Sequence, residues 1–122
     1  ISKALYGDHT QIDAQRYFKY NKLTSLLEAK GKVKLNDKNK NINIRTNEIY
    51  YLTNEEKIYT IGKTDINVDD EYYIEGSDLT LLRNKMILSS DQKAKITDNY
   101  SNIYEFDKFQ YSINEEIVKG EK

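Results

Sequence analysis

The chain has no cysteine, no proline and no tryptophan, and only one histidine and one methionine among 122 residues. Without cysteine there is no disulfide and no thiolate metal site, and the redox compartment is left open. Without proline no ladder is interrupted by a residue lacking an N–H, which suits long continuous strands. No run of about 20 apolar residues occurs, so no helix of this sequence spans a bilayer. Nineteen basic and twenty acidic residues interleave to a net charge of −1. No basic patch collects phosphates, which argues against nucleic acid as a partner.

Catalytic groups are also scarce. His9 is the sole histidine, in a poorly patterned start, and a general base needs oriented partners. The serines lack an adjacent base and a nucleophile elbow. Asp69, Asp70 and Glu71 cluster without the regular oxygen spacing of a calcium loop, so they read as a solvated turn. Gly31-Lys-Val33 and Gly62-Lys-Thr64 lead into no helix and are not phosphate loops. No pair of carboxylates stands out for glycoside cleavage. The expectation is a protein without catalysis, metal or cofactor.

What is present is a repeat. Ile44-x-Thr46, a polar pair Asn47-Glu48, Ile49-x-Tyr51 and a turn at Asn54 form one anchor. The same order appears as Ile12-x-Ala14, Gln15-Arg16, Tyr17-x-Lys19 and Asn21. It recurs as Ile74-x-Gly76, Ser77-Asp78, Leu79-x-Leu81 and Asn84, and as Tyr104-x-Phe106, Asp107-Lys108, Phe109-x-Tyr111 and Asn114. The anchors start 32, 30 and 30 residues apart (44 − 12, 74 − 44, 104 − 74). The turn asparagines lie 33, 30 and 30 apart (54 − 21, 84 − 54, 114 − 84), and Gly31 and Gly62 lie 31 apart, with Gln92 in the next equivalent place. A fixed period in this range signals stacked units that cannot bury their apolar faces alone.

Within a unit the local period is two. Val33-x-Leu35, Thr64-x-Ile66-x-Val68, Met86-x-Leu88 and Ala94-x-Ile96 alternate apolar with polar, as a strand with one dry face does. Along each anchor the parity changes at the polar pair, which predicts a bulge or bend there. The asparagines are expected to supply left-handed turn backbone. Gly31 and Gly62 predict a second bend or a positive φ. Leu23 to Lys30 has helical spacing, which its place in the repeat overrides. The fold class is therefore all-β: a twisted jelly-roll or solenoid-like stack of antiparallel hairpins, with units over about 12–40, 41–70, 71–101 and 102–122. Eleven tyrosines against three phenylalanines suit amphipathic strands with a wet rim. The start at Ile1 without methionine, and the end at Gly120-Glu-Lys122 where another strand should come, suggest a piece of a longer protein.

Two facing sheets lined by Ile, Leu, Val, Tyr and Phe enclose a slot suited to acyl chains, at about 0.8 kcal/mol for each buried methylene. The alternative is that these side chains meet and close the slot, giving a structural or adhesive β-repeat.

Leu27-Glu-Ala-Lys-Gly-Lys-Val-Lys-Leu35, followed by Ile44-Arg-Thr-Asn-Glu-Ile-Tyr-Tyr51, resembles the degenerate signature of the OstA-like domains of lipopolysaccharide transport. Tyr59-Thr-Ile-Gly-Lys-Thr-Asp-Ile66 repeats it, and the likeness runs from about Ile12 to Lys119. Ile103 to Ile113 is similar to the periplasmic N-terminal part of that pathway's outer-membrane assembly protein, with its single-domain periplasmic bridge protein second. Lys32 and Lys63 depart from the family's usual asparagine, and Gln92 from its glycine.

The resemblance implies a twisted β-jelly-roll in the periplasm of a Gram-negative bacterium, tethered to or near the outer membrane. It implies that lipopolysaccharide is the partner, its lipid A acyl chains shielded in a groove. It also implies edge-strand pairing with other OstA-like domains, and an outer-membrane barrel if the whole chain is the assembly protein. By parity and repeat position the inward, lipid-facing wall is Ile12, Ala14, Tyr17, Val33, Leu35, Ile44, Ile49, Tyr51, Ile66, Val68, Ile74, Leu79, Leu81, Leu88, Ile96, Phe106 and Phe109.

Overall fold

The computed structural model describes residues 3–7 and 9–122; Ile1, Ser2 and Asp8 of the lead-in stretch lie outside them. The first seven strands are β1 Lys3–Gly7, β2 Thr10–Ala14, β3 Tyr17–Asn21, β4 Leu26–Asp37, β5 Ile42–Leu52, β6 Lys57–Thr60 and β7 Lys63–Val68. The others are β8 Tyr72–Ser77, β9 Thr80–Leu82, β10 Ile87–Ser90, β11 Ala94–Asp98, β12 Ile103–Phe106, β13 Lys108–Ser112 and β14 Ile117–Glu121. There is no helix among the described residues: the stretch Leu23 to Lys30, for all its helical spacing, is a turn leading into the strand Leu26–Asp37. All-β is correct.

Pairing divides the sheet into two halves that share β4 and β5. One half runs β1-β2-β4-β5-β7-β8-β11-β12, using residues 33–37 of β4 and 42–46 of β5. The other runs β3-β4-β5-β6-β9-β10-β13-β14, using residues 26–30 of β4 and 49–52 of β5. The polar pairs lie on the line between them. Gln15-Arg16 separates β2 from β3, and at Asn47-Glu48 β5 changes partner from β7 to β6. Asp78 lies between β8 and β9, and Asp107 between β12 and β13. A change of parity at a fixed place in each unit thus becomes a corner along which one sheet folds over on itself.

The two glycines sit on the same corner. Gly31 has φ +88° beside a bulge between Lys30 and Val33, and accepts from the Gln15 amide at 2.8 Å. A Cβ there would lie 2.7 Å from the Arg16 Cβ, so both conformation and proximity require glycine. Gly62, at φ +82°, meets nothing within 4 Å and is needed for its backbone angle alone.

The hairpin turns correct one expectation. Left-handed backbone falls not on the turn asparagines but on Ser25, Glu56, Met86 and Glu116, with φ between 51° and 59°. The reason lies in the next unit. The carbonyls of Ser25, Glu56 and Met86 accept from the amides of Thr53, Arg83 and Ile113, at 2.9, 2.8 and 2.9 Å. The left-handed residue turns its carbonyl toward the neighbouring hairpin, so the backbone requirement outweighs side-chain preference. In the other half Asp69 and Asp70 both have positive φ, in a three-residue connection between the paired Val68 and Tyr72 that the Glu71 amide closes by donating to the Val68 carbonyl at 3.0 Å.

Side chains in register form rows across each half. Ile12, Leu35, Ile44, Ile66, Ile74, Ile96 and Tyr104 face inward in the first. Tyr20, Leu27, Tyr51, Ile58, Leu81, Leu88, Tyr111 and Val118 form the corresponding row of the second. Nearer the corner the first half carries small residues, Val33, Thr46, Thr64 and Gly76, so the halves converge there. The opposite face is wet: Asp13, Lys34, Arg45, Asp65, Glu75, Lys95 and Glu105 form a row that mixes both charge signs.

Candidate functional site

The candidate site is the interior between the halves. Fifteen of the seventeen wall residues are buried: Ile12, Ala14, Val33, Leu35, Ile44, Ile49, Tyr51, Ile66, Val68, Ile74, Leu79, Leu81, Leu88, Ile96 and Phe109. Tyr17 is 38% exposed and does not belong to the wall. It pairs with Lys30 on the outer face, and its neighbour Phe18, opposite Ala29, packs against the core instead. The first unit takes one more residue to turn the corner than the others do, and each added residue reverses the facing of the strand beyond it. Phe106 is only half-buried because β12 is an edge strand.

Repeat spacing alone missed Leu27, Ala29, Ile42, Ile58, Met86, Ala94 and Tyr111, all of which are buried. Leu27-x-Ala29 continues the alternation of Val33-x-Leu35 through the Gly31 bulge, a signal hidden by the helical spacing of that stretch.

The slot is closed in this conformation. Ile44, Ile66, Ile74, Ile96, Leu27, Ile58 and Leu88 are each at most 1% exposed. A standing hollow wide enough for water would leave measurable surface on its lining. Two recesses, of about 510 and 430 Å³, lie near the C-terminal end, where wall residues Phe106 and Phe109 each line one of them beside polar groups such as Lys93 and Glu105, and Ser89 and Lys108.

Opposite the corner, the long side of the folded sheet is a mouth bounded by turns. Side chains bridge it at two places. Arg83 comes directly after β9 in the second half. Its guanidinium donates to Tyr51 Oη at 2.5 Å within that half, and across the mouth to Thr10 Oγ1 at 2.7 Å and Asp37 Oδ2 at 3.0 Å. Thr10 and Asp37 are only 5% and 4% exposed. Burial pulls the Arg83 pKa down, but Tyr51, Asp37 and Glu56 outweigh it and hold the pKa above its ordinary value. Further along, Tyr72 of β8 meets Tyr111 of β13 edge to face at 5.3 Å. Burial, reinforced by Tyr72 and Glu116, pushes the Tyr111 phenol well up, so it stays uncharged at neutral pH.

At the corner a buried hydroxyl cluster ties the halves together. Thr64 Oγ1 donates to one of three acceptors: Thr46 Oγ1 at 3.0 Å, Thr60 Oγ1 at 2.7 Å or the Gly62 carbonyl at 3.0 Å. Thr60 Oγ1 accepts from the Leu79 amide at 3.0 Å.

The stack ends in inward-facing aromatic and aliphatic groups. Tyr20 is 44% exposed at one end and Tyr104 is 46% exposed at the other. Phe106 covers Gly120 so closely that a Cβ on Gly120 would overlap its ring. Strands β3, β12 and β14 each pair on one side only among the described residues.

No family model matches the chain, and no curated protein matches it. Solved structures do. One is the crystal structure of LptH from Pseudomonas aeruginosa, described as the LptA-homologous periplasmic component of the conserved lipopolysaccharide transport device. The match covers 93% of this chain and 84% of that one, at a TM-score of 0.81 and 14% identity. The class is thereby defined by architecture: the chain has the OstA-like, LptA-type β-jelly-roll fold. LptH is one solved protein with which it shares that fold.

Proposed function

We propose that the chain is a non-catalytic lipid-conduit module, a single OstA-like domain over residues 1–122, that shields lipopolysaccharide acyl chains during their passage through the periplasm. The observation that carries this is an apolar wall running without interruption between two ends where Tyr20 and Tyr104 remain partly exposed. The wet outer faces are suited to water, and the wall to chains whose burial gains about 0.8 kcal/mol per methylene. The fold shared with LptH supports the same role, and by that analogy a periplasmic location near the outer membrane. The half-paired edges β12 and β14 at one end, and β3 at the other, suit joining to neighbouring copies of the same fold by strand addition. An outer-membrane barrel is the partner if the chain continues into one.

The closed interior favours a second reading, a structural β-repeat with a filled core. Purified protein titrated with lipopolysaccharide and with its fully deacylated core oligosaccharide separates the two. The conduit reading expects saturable binding of the acylated form alone. Equal binding of both, or of neither, would leave the structural repeat.

A further inference from the structure

We infer that the mouth opposite the corner is a hinged opening, and that Arg83 is the clasp that keeps it shut. The inference rests on the conduit reading for its purpose but not for its geometry. The halves are joined in two different ways. At the corner they share the continuous backbones of β4 and β5 and the Thr46–Thr60–Thr64 cluster. Across the mouth, the hydrogen bonds of the described residues are side-chain contacts of Arg83 to Thr10 and Asp37. The backbone bonds of the rim stay within one half: Thr53 to Ser25, Arg83 to Glu56 and Ile113 to Met86 in the second, Asp69 to Asn41 and Lys38 to His9 in the first. The ladder of β4 and β5 runs through the corner, and every other ladder pairs strands within a single half. Rotation about the corner therefore separates the halves without breaking a sheet.

The position of the clasp matters as much as its bonds. Its row along the rim of the first half is Thr10, Asp37, Ile42, Val68 and Tyr72. Ile42 and Val68 are 1% exposed, and Met86, three residues beyond Arg83, is 4% exposed. An apolar pair would extend that seam and hold at least as well, because a buried ion pair recovers little beyond its desolvation cost. A charged pair behaves differently on opening, since both partners regain water. A guanidinium forked between Thr10, Asp37 and Tyr51 is thus a joint that releases as a unit, and it admits acyl chains sideways along the length of the wall rather than only through its ends.

The absence of cysteine makes the test direct. Cysteines introduced at the exposed turn residues Asn39 and Lys85, on opposite rims, carry spin labels whose separation reads the opening. The full chain with Asp37 and Arg83 intact should give one short, narrow distance distribution. Arg83→Gln, and the milder Arg83→Lys, should give a longer and broader one with the circular dichroism of the sheet retained. The double swap Asp37→Arg with Arg83→Asp should restore the short distance. Uptake of a dansyl-labelled undecanoic acid should quicken in the single variants on the order of tenfold, the factor set by about 1.4 kcal/mol. An unchanged distance in the folded single variants would overturn the clasp. If the single variants do not fold, a swap that folds without shortening the distance would overturn it equally. A longer distance with no probe taken up by any form, wild type included, would leave the clasp standing and bring down the conduit reading.

Discussion

Ile66→Ala distinguishes a filled interior from a hollow one. Ile66 is 1% exposed and lies in register between Ile44 and Ile74, with a dry row on both sides. The substitution removes about three methylene equivalents, or roughly 2.4 kcal/mol of transfer free energy. If the facing side chains pack against it, a residual cavity raises the loss to about 3–4 kcal/mol. For a chain of this length that lowers the melting temperature by roughly 10–15 °C. Arg45→Ala, next to Ile44 on the wet face of the adjacent strand, is expected to change stability by less than about 0.5 kcal/mol. Urea unfolding monitored by tyrosine fluorescence measures both. A loss under about 1 kcal/mol at Ile66 would mean that nothing packs against that side chain, and would refute the closed slot.

Gly31→Ala should destabilise more than Gly62→Ala. Both pay about 1–2 kcal/mol for left-handed backbone, but only the first also forces Arg16 aside; unfolding of the two variants side by side checks the order. The hydrogen bond from Tyr50 to Glu48, followed by burial, pushes the Tyr50 phenol up to about 12. Its neutral form is favoured by the fold, so that contribution is complete below pH 10 and is lost as pH rises toward 12. Absorbance titration at 295 nm should show a late-ionising phenol that Tyr50→Phe removes. Gly120→Ala should expel the Phe106 ring from the C-terminal end, at a cost below about 2 kcal/mol because β14 is largely exposed. Faster amide exchange confined to β12 and β14 would show it.

Much of this architecture is legible in the sequence because repetition multiplies weak signals. A polar pair at one offset in all four units marks the corner, and Gly31 and Gly62 mark the return across it. Tyr17 marks the limit of spacing as a guide: one additional residue in the first bend exchanges its role with Phe18, and no local feature announces the insertion. The left-handed positions at Ser25, Glu56 and Met86 follow no residue preference, because a carbonyl bond to the next hairpin sets them. Arg83 was hidden for a related reason. Its partners Thr10 and Asp37 lie 73 and 46 residues away, across a fold in the sheet that strand patterning does not register.

The most direct test of the conduit is site-specific photocrosslinking in cells that make lipopolysaccharide. A photoreactive residue at buried Val68 or Leu81 should yield a lipopolysaccharide adduct, while one at outward-facing Lys34 or Arg45 should not. Adducts at the outward positions alone, or none at Val68 and Leu81 in folded protein, would contradict the account.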